Sequence, residues 1–457
     1  MNTILKRTVT VLLLAWAACL ILFCIVLPRF QKSLSGPGKD LPAGTLERVR
    51  CINDNREALV RRLQVIDSAQ EELILSTYSY GDDESGADIA AALLTAADRG
   101  VKVRVLVDGL SAVTSVNGSD NFRALAGHPN VEARIYNPIN LAFPWSANYR
   151  MHDKYLIADH DLYILGGRNT RNVSLGSYGD KRDMDRDMLV WRETEDENSS
   201  MNQLRSYFEE VWALGKKFTK QARAGETLRD SLRDRNAAIR KNHPEVFAPV
   251  DWKKETLPTE TVTLLHNPVA AGRKEPVLWK QLVEIMSGGE EVLIQSPYVI
   301  CNHMMYEDLR NLHRNGTDVK VITNAPECGA NTFGCADYLN QRHKLRATGM
   351  EIYEYAGPHS AHTKTVLVDD HITVSGSFNF DMRSAYLDTE LMLYIDSPEL
   401  NAELRELDRQ YMSASRCIHS DGTKVLGENF VKPYMPIPKY LLYWVLRLVT
   451  IPVRHLL

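Results

Sequence analysis

A histidine, a lysine and an asparagine recur twice in this chain at one spacing. His152 and Lys154 are followed by Asp159 and by Gly166-Gly167-Arg168-Asn169; His362 and Lys364 are followed by Asp369 and by Gly376-Ser377-Phe378-Asn379. The two copies have identical internal spacings. An imidazole is both a nucleophile and a proton carrier near neutral pH, and ammonium and amide groups hold anionic oxygens. Two such sets facing one another make a phosphodiester site. One imidazole attacks phosphorus, and the other protonates the leaving alkoxide and later deprotonates the acceptor. The lysines and asparagines would hold the non-bridging oxygens, a role that metal ions play in other phosphoryl-transfer sites. Neither motif is accompanied by a cluster of metal-ligand residues, so no metal and no cofactor is expected.

The local pattern says how these groups are aimed. Met151 to Ile157 reads as a strand, in which residues i and i+2 share a face, so His152 and Lys154 point into one cleft. Asp159 has the opposite parity and lies in the turn Asp159-His160-Asp161, the place of a structural carboxylate. Gly166 and Gly167 let the backbone approach a ligand, and Asn169 returns beside Lys154. His362, Lys364, Asp369 and Asn379 repeat the arrangement. A nucleophilic imidazole needs its second nitrogen held by an acceptor. A carboxylate stands before an apolar strand after each motif, which makes Asp187 the expected partner of His152 and Glu390 that of His362.

The elements around the motifs are duplicated too. Helical periodicity over Asn55 to Gln70 leads to the apolar Leu73-Ile74-Leu75, and a second helix leads through Gly100 into Val101 to Val107. The order returns with Trp279 to Met286, Val292-Leu293-Ile294, Met305 to Arg314 and Val319 to Ile322. Alternating helices and strands predict an α/β fold with helices covering the sheets. The expected organisation is a first domain over 45–215, a charged helical linker over 216–260 and a second domain over 261–415. Lys216, Lys217, Lys220 and Arg223 in the linker form either a solvated face or a contact for anionic headgroups.

With 457 residues, a formal net charge of -4 and ordinary hydrophobic content (44%), the chain is large enough for two cores and shows no general nucleic-acid-binding surface. An anionic substrate must therefore be held by local cations. The chain ends are more distinctive. Lys6 and Arg7 precede an apolar run from Thr8 to Leu27, about 20 residues, the length of a membrane-spanning helix. A single-pass anchor over 1–30 is expected, with a cleaved signal peptide as its rival. Arg29, Lys32 and Lys39 oppose Lys6 and Arg7, so the side of the membrane stays open. Residues 430–457 hold an apolar, aromatic segment, Tyr440 to Val449, flanked by Lys439 and Arg454; it is expected to lie in a membrane interface, or else to dock as a core helix. The seven cysteines are expected to be inert thiols, a Cys328–Cys335 disulfide being the alternative.

The paired motif H-x-K-x₄-D-x₆-G-[GS]-x-N resembles that of the phospholipase D superfamily, over roughly residues 50 to 415. Gly166-Gly167-Arg168-Asn169, Tyr136-Asn137-Pro138 and the apolar tail are similar to features of bacterial cardiolipin synthases. The resemblance implies duplicated phospholipase D-like domains, each a mixed β-sheet flanked by helices, related by a pseudo-twofold with one shared active site. It further implies a membrane-bound phosphatidyltransferase acting on phosphatidylglycerol, or phosphatidylethanolamine, with His152 as nucleophile and His362 as acid and base. The motif residues His152, Lys154, Asp159, His362, Lys364 and Asp369 would carry the catalysis, and Asn169, Asn379, Ser377 and Gly167 would bind substrate. No nucleic-acid partner is expected. Gly167 departs from the serine common in the superfamily, which Ser377 keeps; the departure implies one fewer hydroxyl for phosphate and unequal halves. The rivals are a hydrolytic phospholipase D, a nuclease-like phosphodiesterase and a silent lipid-binding scaffold. Leu141-Ala142-Phe143-Pro144-Trp145 reads equally as a cover over the site or as a packed connecting loop.

Overall fold

The structure, a computed structural model, describes residues 3–26, 41–220 and 225–457. The chain folds into two nine-stranded mixed sheets, each covered by helices. Across the first sheet the strands run Leu257–Pro258, Arg48–Ile52, Asp187–Trp191, Leu162–Gly166, Lys154–Ala158, Glu72–Thr77, Lys102–Asp108, Val131–Tyr136 and Lys216–Lys217. The second runs Thr261–His266, Leu391–Asp396, Ile372–Gly376, Thr365–Val368, Glu291–Gln295, Asp318–Asn324, Glu351–Tyr355, Ser415–Ile418 and Lys424–Leu426. From Arg48–Ile52 to Val131–Tyr136 the first order matches the second from Thr261–His266 to Glu351–Tyr355. In each sheet the three strands joined through helices are parallel and the strands that carry the motif are antiparallel. The duplicated α/β architecture follows as expected.

Strand alternation builds three cores from these sheets. Leu73 and Leu75 point to a core shared with the helices Asn55–Ser68 and Glu84–Asp98, while Ile74 points the other way. Val292, Ile294 and Leu293 divide identically in the second sheet. The core on the Ile74 and Leu293 side draws from both halves, adding Tyr155, Val190, Leu264 and Leu391 from strands and Leu204, Phe208 and Leu404 from the helices Ser200–Leu214 and Pro398–Ser413. A sheet buried on both faces needs near-continuous apolar strands, which is why these read as apolar runs. The ion pair of Arg186 with Asp408, 2.9 Å apart and buried, ties the first half to the second.

Two expectations are corrected. The regular α-helix of the N-terminus covers Thr3–Leu20 and gives way to π-helical turns over Ile21–Val26, so the apolar run does not form one uninterrupted α-helix. Among the described residues no helix is long and apolar enough to cross a membrane, and the single-pass anchor is not supported. Arg29, Lys32, Lys39 and Arg223 lie outside the described residues. The region 216–260 is not a free linker: Lys216–Lys217 and Leu257–Pro258 supply both edge strands of the first sheet, and the helix Gly225–Asn242 packs on Glu84–Asp98. Cys328 and Cys335 are both free thiols, in line with the reading of the cysteines as inert.

Asp159 and Asp369 occupy the turns of the two motif hairpins, with φ of 51° and 48°. Aspartate tolerates this left-handed conformation better than most residues. The Asp159 carboxylate accepts N–H bonds from Gln70 (2.8 Å), Glu71 (2.8 Å) and Glu72 (2.9 Å), and Asp369 accepts from Glu290 and Glu291 (both 2.9 Å). Each therefore clamps the motif hairpin to the start of the neighbouring strand. Asp159→Ala is expected to lower stability by about 1–3 kcal/mol while turnover per folded molecule stays within a factor of about two. Thermal melting and active-site-titrated rates check this, and a loss of chemistry without a loss of stability would return Asp159 to the reaction.

Candidate active site

The two histidines stand just ahead of equivalent strands, Lys154–Ala158 and Thr365–Val368. Each approaches its strand along a segment of the opposite half. Met151 forms a parallel bridge to Thr389, Thr389 N–H donates to Arg150 (3.0 Å), and His152 N–H donates to the Thr389 carbonyl (3.2 Å). In the other direction Ser360–Ala361 pairs in parallel with Asp183–Met184, and His362 N–H donates to the Met184 carbonyl at 2.7 Å.

This exchange decides which carboxylate orients which imidazole. Nδ1 of His152 lies 3.0 and 3.1 Å from the two oxygens of Glu390, and Nδ1 of His362 lies 2.5 Å from Asp185 Oδ2. The expected pairing of Asp187 with His152 and Glu390 with His362 is thus wrong on both counts. Asp187 is buried against Arg62 (2.9 Å) and Arg168 (3.4 Å) as an internal ion pair. The sheet register explains the error. Gly166 pairs with Asp187, whereas its counterpart Gly376 pairs with Met392, so Asp187 corresponds to Met392 and Asp185 to Glu390. The apolar runs of the two halves also match two residues out of step, a slip that preserves strand parity and so leaves no trace in the pattern. With Nδ1 engaged, each Nε2 is left as the working nitrogen.

Gly167 and Ser377 also turn out differently from expectation. Ser377 Oγ donates to Glu390 Oε2 at 2.5 Å, and Ser384 Oγ donates to Glu390 Oε1 at 2.6 Å. The serine hydroxyl holds the orienting carboxylate, not a phosphate. A Cβ at Gly167 would stand 2.3 Å from Asp185 Oδ1. Glycine there is the room that the shorter acid needs to reach His362. The halves are unequal, but through their carboxylates.

Lys154 and Lys364 are buried, and each Nζ donates to the carbonyl of the histidine two residues before it. Lys364 Nζ also lies 2.7 Å from His362 Nδ1 and 3.6 Å from Asp185, while Lys154 Nζ sits 5.4 Å from the centre of the Tyr78 ring. Tyr78, which sequence reasoning passed over, packs edge-on to His152 at 5.0 Å. Asn169 accepts the Ser79 N–H at 3.1 Å through its side-chain oxygen, leaving the amide NH₂ as a donor. The Asn379 side-chain oxygen is buried and, among the described residues, has no hydrogen-bond partner, which leaves the amide NH₂ as its donor end.

Burial dominates the electrostatics. It pushes Lys154 down to about 7, with Lys364 adding repulsion, and it lowers Lys364 as well. Burial also holds His152 well below the ordinary histidine range, helped by Lys154. Glu390 is pushed up to about 7 by burial, whereas for Asp185 the same burial is overcome by Lys364 and His362, which keep its carboxyl well below the usual range. The site therefore sets two buried lysines beside two imidazoles, one imidazole next to a carboxyl of raised pKa and the other next to an ionised carboxylate.

Residues 63–212 and 282–410 match the family model described as cardiolipin synthase, PLD-like domain. The chain belongs to this phospholipase D-like family. It is similar to cardiolipin synthase C of Escherichia coli, with 25% identity over 397 residues that cover 78% of this chain and 82% of that one. It is also 26% identical over 401 residues to an uncharacterized protein of Helicobacter pylori, covering 78% and 77% of the two chains. Among solved structures, phosphatidylserine synthase of Haemophilus influenzae superposes with a TM-score of 0.65 at 16% identity, over 92% of this chain and 98% of that one. At that identity the superposition speaks for the shared fold.

A pH profile tests the electrostatic arrangement. An imidazole that attacks phosphorus must be neutral, and a lysine that holds a phosphoryl oxygen must be charged. Rising pH removes the Lys154 proton through about 7, so kcat/KM for a phosphodiester should fall on the alkaline side from there. Lys154→Arg stays charged throughout and should move that limb upward by more than about one unit, whatever its maximal rate. An alkaline limb unchanged in Lys154→Arg would assign it to another group.

Proposed function

We propose that this protein is a phosphatidyltransferase that joins two phospholipids through a phosphohistidine, with phosphatidylglycerol as donor and acceptor and cardiolipin as product. Phosphatidylethanolamine is the second candidate substrate. The observation that carries this reading is the crossed pairing of His152 with Glu390 and of His362 with Asp185, flanked by two buried lysines. The family match and the printed activity of the Escherichia coli relative agree with it.

The environments favour a division of labour. His152, held neutral by burial, is suited to attack phosphorus through Nε2 while the bond to the leaving glycerol oxygen breaks. His362, whose Nδ1 is held by Asp185, is assigned the transfer of a proton to that oxygen. In the second half-reaction His362 takes the proton of the acceptor hydroxyl, the new P–O bond forms, and the P–N bond to His152 breaks. Lys154, Lys364, Asn169 and Asn379 are assigned to the non-bridging oxygens.

Incubating the purified protein with phosphatidylglycerol and identifying the lipid products by mass tests the reading. Cardiolipin with released glycerol is expected; phosphatidic acid alone would make the protein a hydrolase, and no lipid product would make it a scaffold or a phosphodiesterase for other substrates. His152→Ala and His362→Ala should each lower turnover by at least about 10³-fold, and either variant near the wild-type rate would end the two-histidine mechanism.

Product choice gives a second test. The segment Leu141 to Trp145 exposes Leu141 and Phe143, whose ring packs edge-on to Trp145 at 5.4 Å. Its base is tied beside the site: Asn137 Nδ2 donates to the carbonyls of Ser146 and Tyr149 (both 2.7 Å), and Arg150 donates to Ser146 at 3.1 Å. An apolar tip on an anchored base fits a cover that keeps water from the phosphohistidine. Replacing Phe143 and Trp145 with serine is expected to raise the ratio of phosphatidic acid to cardiolipin severalfold. An unchanged ratio would leave the segment as a connecting loop.

A further inference from the structure

The C-terminal helix Ile437–Val453 touches the rest of the protein along a narrow stripe. Tyr443, Leu446 and Thr450 are buried against the helix Thr332–Arg346, and Tyr443 donates its hydroxyl proton to the Pro326 carbonyl at 2.7 Å. The opposite face is apolar and open to solvent, with Tyr440 60%, Leu441 59%, Trp444 63% and Leu448 61% exposed. A helix held this firmly has no need of so large an apolar face for its own folding.

Beside this face opens a cavity of about 550 Å³. Its lining combines aromatic residues (Tyr434, Tyr440, Trp444) with basic ones (Lys424, Lys432, Arg447), and Glu327 is its one acidic lining residue. Arg342 and Arg416, which also line it, are engaged by the buried Glu354 at 2.8 and 2.9 Å. Lys424 and Lys432 are exposed and make no ion pair among the described residues. The cavity sits at the Ser415–Ile418 and Lys424–Leu426 edge of the second sheet, four strands from Thr365–Val368, the strand that His362 leads into. It is separate from the histidine site.

We infer that this cavity and the outer face of the C-terminal helix together form a docking site for the headgroup of an anionic phospholipid in a bilayer. Tyrosine and tryptophan favour the depth of the headgroups, and lysines beside them are drawn to anionic lipid. A soluble phosphodiester would use the lysines but leave the apolar face unoccupied; a bilayer satisfies both. The inference stands apart from phosphatidyl transfer, because binding is read without turnover.

Sedimentation of the full-length chain with vesicles of phosphatidylcholine, alone or mixed with phosphatidylglycerol, tests it. The double variant Lys424→Glu with Lys432→Glu should bind the mixed vesicles roughly tenfold more weakly, bind the neutral ones as before, and keep its turnover on detergent-dispersed lipid. Tyr440→Ser with Trp444→Ser should weaken binding to both kinds of vesicle. Partition of the lysine variant equal to wild type would overturn the inference. Lost turnover with retained partition would instead place the two lysines in catalysis and equally overturn it.

Discussion

Each imidazole in this protein is completed by a carboxylate from the other half of the chain. Glu390 reaches back to His152 and Asp185 reaches forward to His362, because the segment before each histidine pairs with the segment before the opposite carboxylate. Neither half holds an oriented histidine by itself. The rest of the architecture answers to this exchange: the core shared by the two halves and the buried pair of Arg186 with Asp408 keep the opposed segments in register. A buried carboxylate stripped of its partner is costly, so the same bonds that prepare the site also penalise separation of the halves.

The exchange is symmetric in backbone and unsymmetric in chemistry. A glycine opposite a short acid and a serine opposite a long one are two solutions to one packing problem, since a Cβ at Gly167 would collide with Asp185 while Ser377 grips Glu390. The two acids consequently sit in different fields. Asp185 lies within reach of Lys364 and stays ionised; Glu390 is caged by hydroxyls and has its pKa raised by burial. Duplication supplied two equivalent imidazoles, and the hydroxymethyl group of Ser377 with the extra methylene of Glu390 gives their carboxylates different surroundings.

Away from the site, the halves diverge where nothing constrains them. The first sheet closes its edges with Lys216–Lys217 and Leu257–Pro258, while the second extends through Ser415–Ile418 to Lys424–Leu426 and gains the C-terminal helix. The clamp made by Asp159 and Asp369 is kept in both halves, because a turn with positive φ leaves few alternatives once the hairpin must meet the neighbouring strand. Fold alone does not choose a reaction; that depends on the side chains gathered around the two histidines.

Much of this was legible in the chain. The doubled motif, the α/β alternation, the two halves and the structural place of Asp159 all rest on relations between residues a few positions apart, where spacing and parity dictate geometry. The partners of the histidines were not, since Asp185 and Asp187 share parity and differ only in sheet register. Nor was the use of Ser377 on Glu390, or the place of Tyr78 beside His152, because both join segments that meet only after folding. By itself the sequence determined which side chains exist to do chemistry and which strands present them. The tertiary structure decided which carboxylate serves which imidazole, because hydrogen-bond register between distant strands is set by packing of the whole and leaves no periodic mark in either segment.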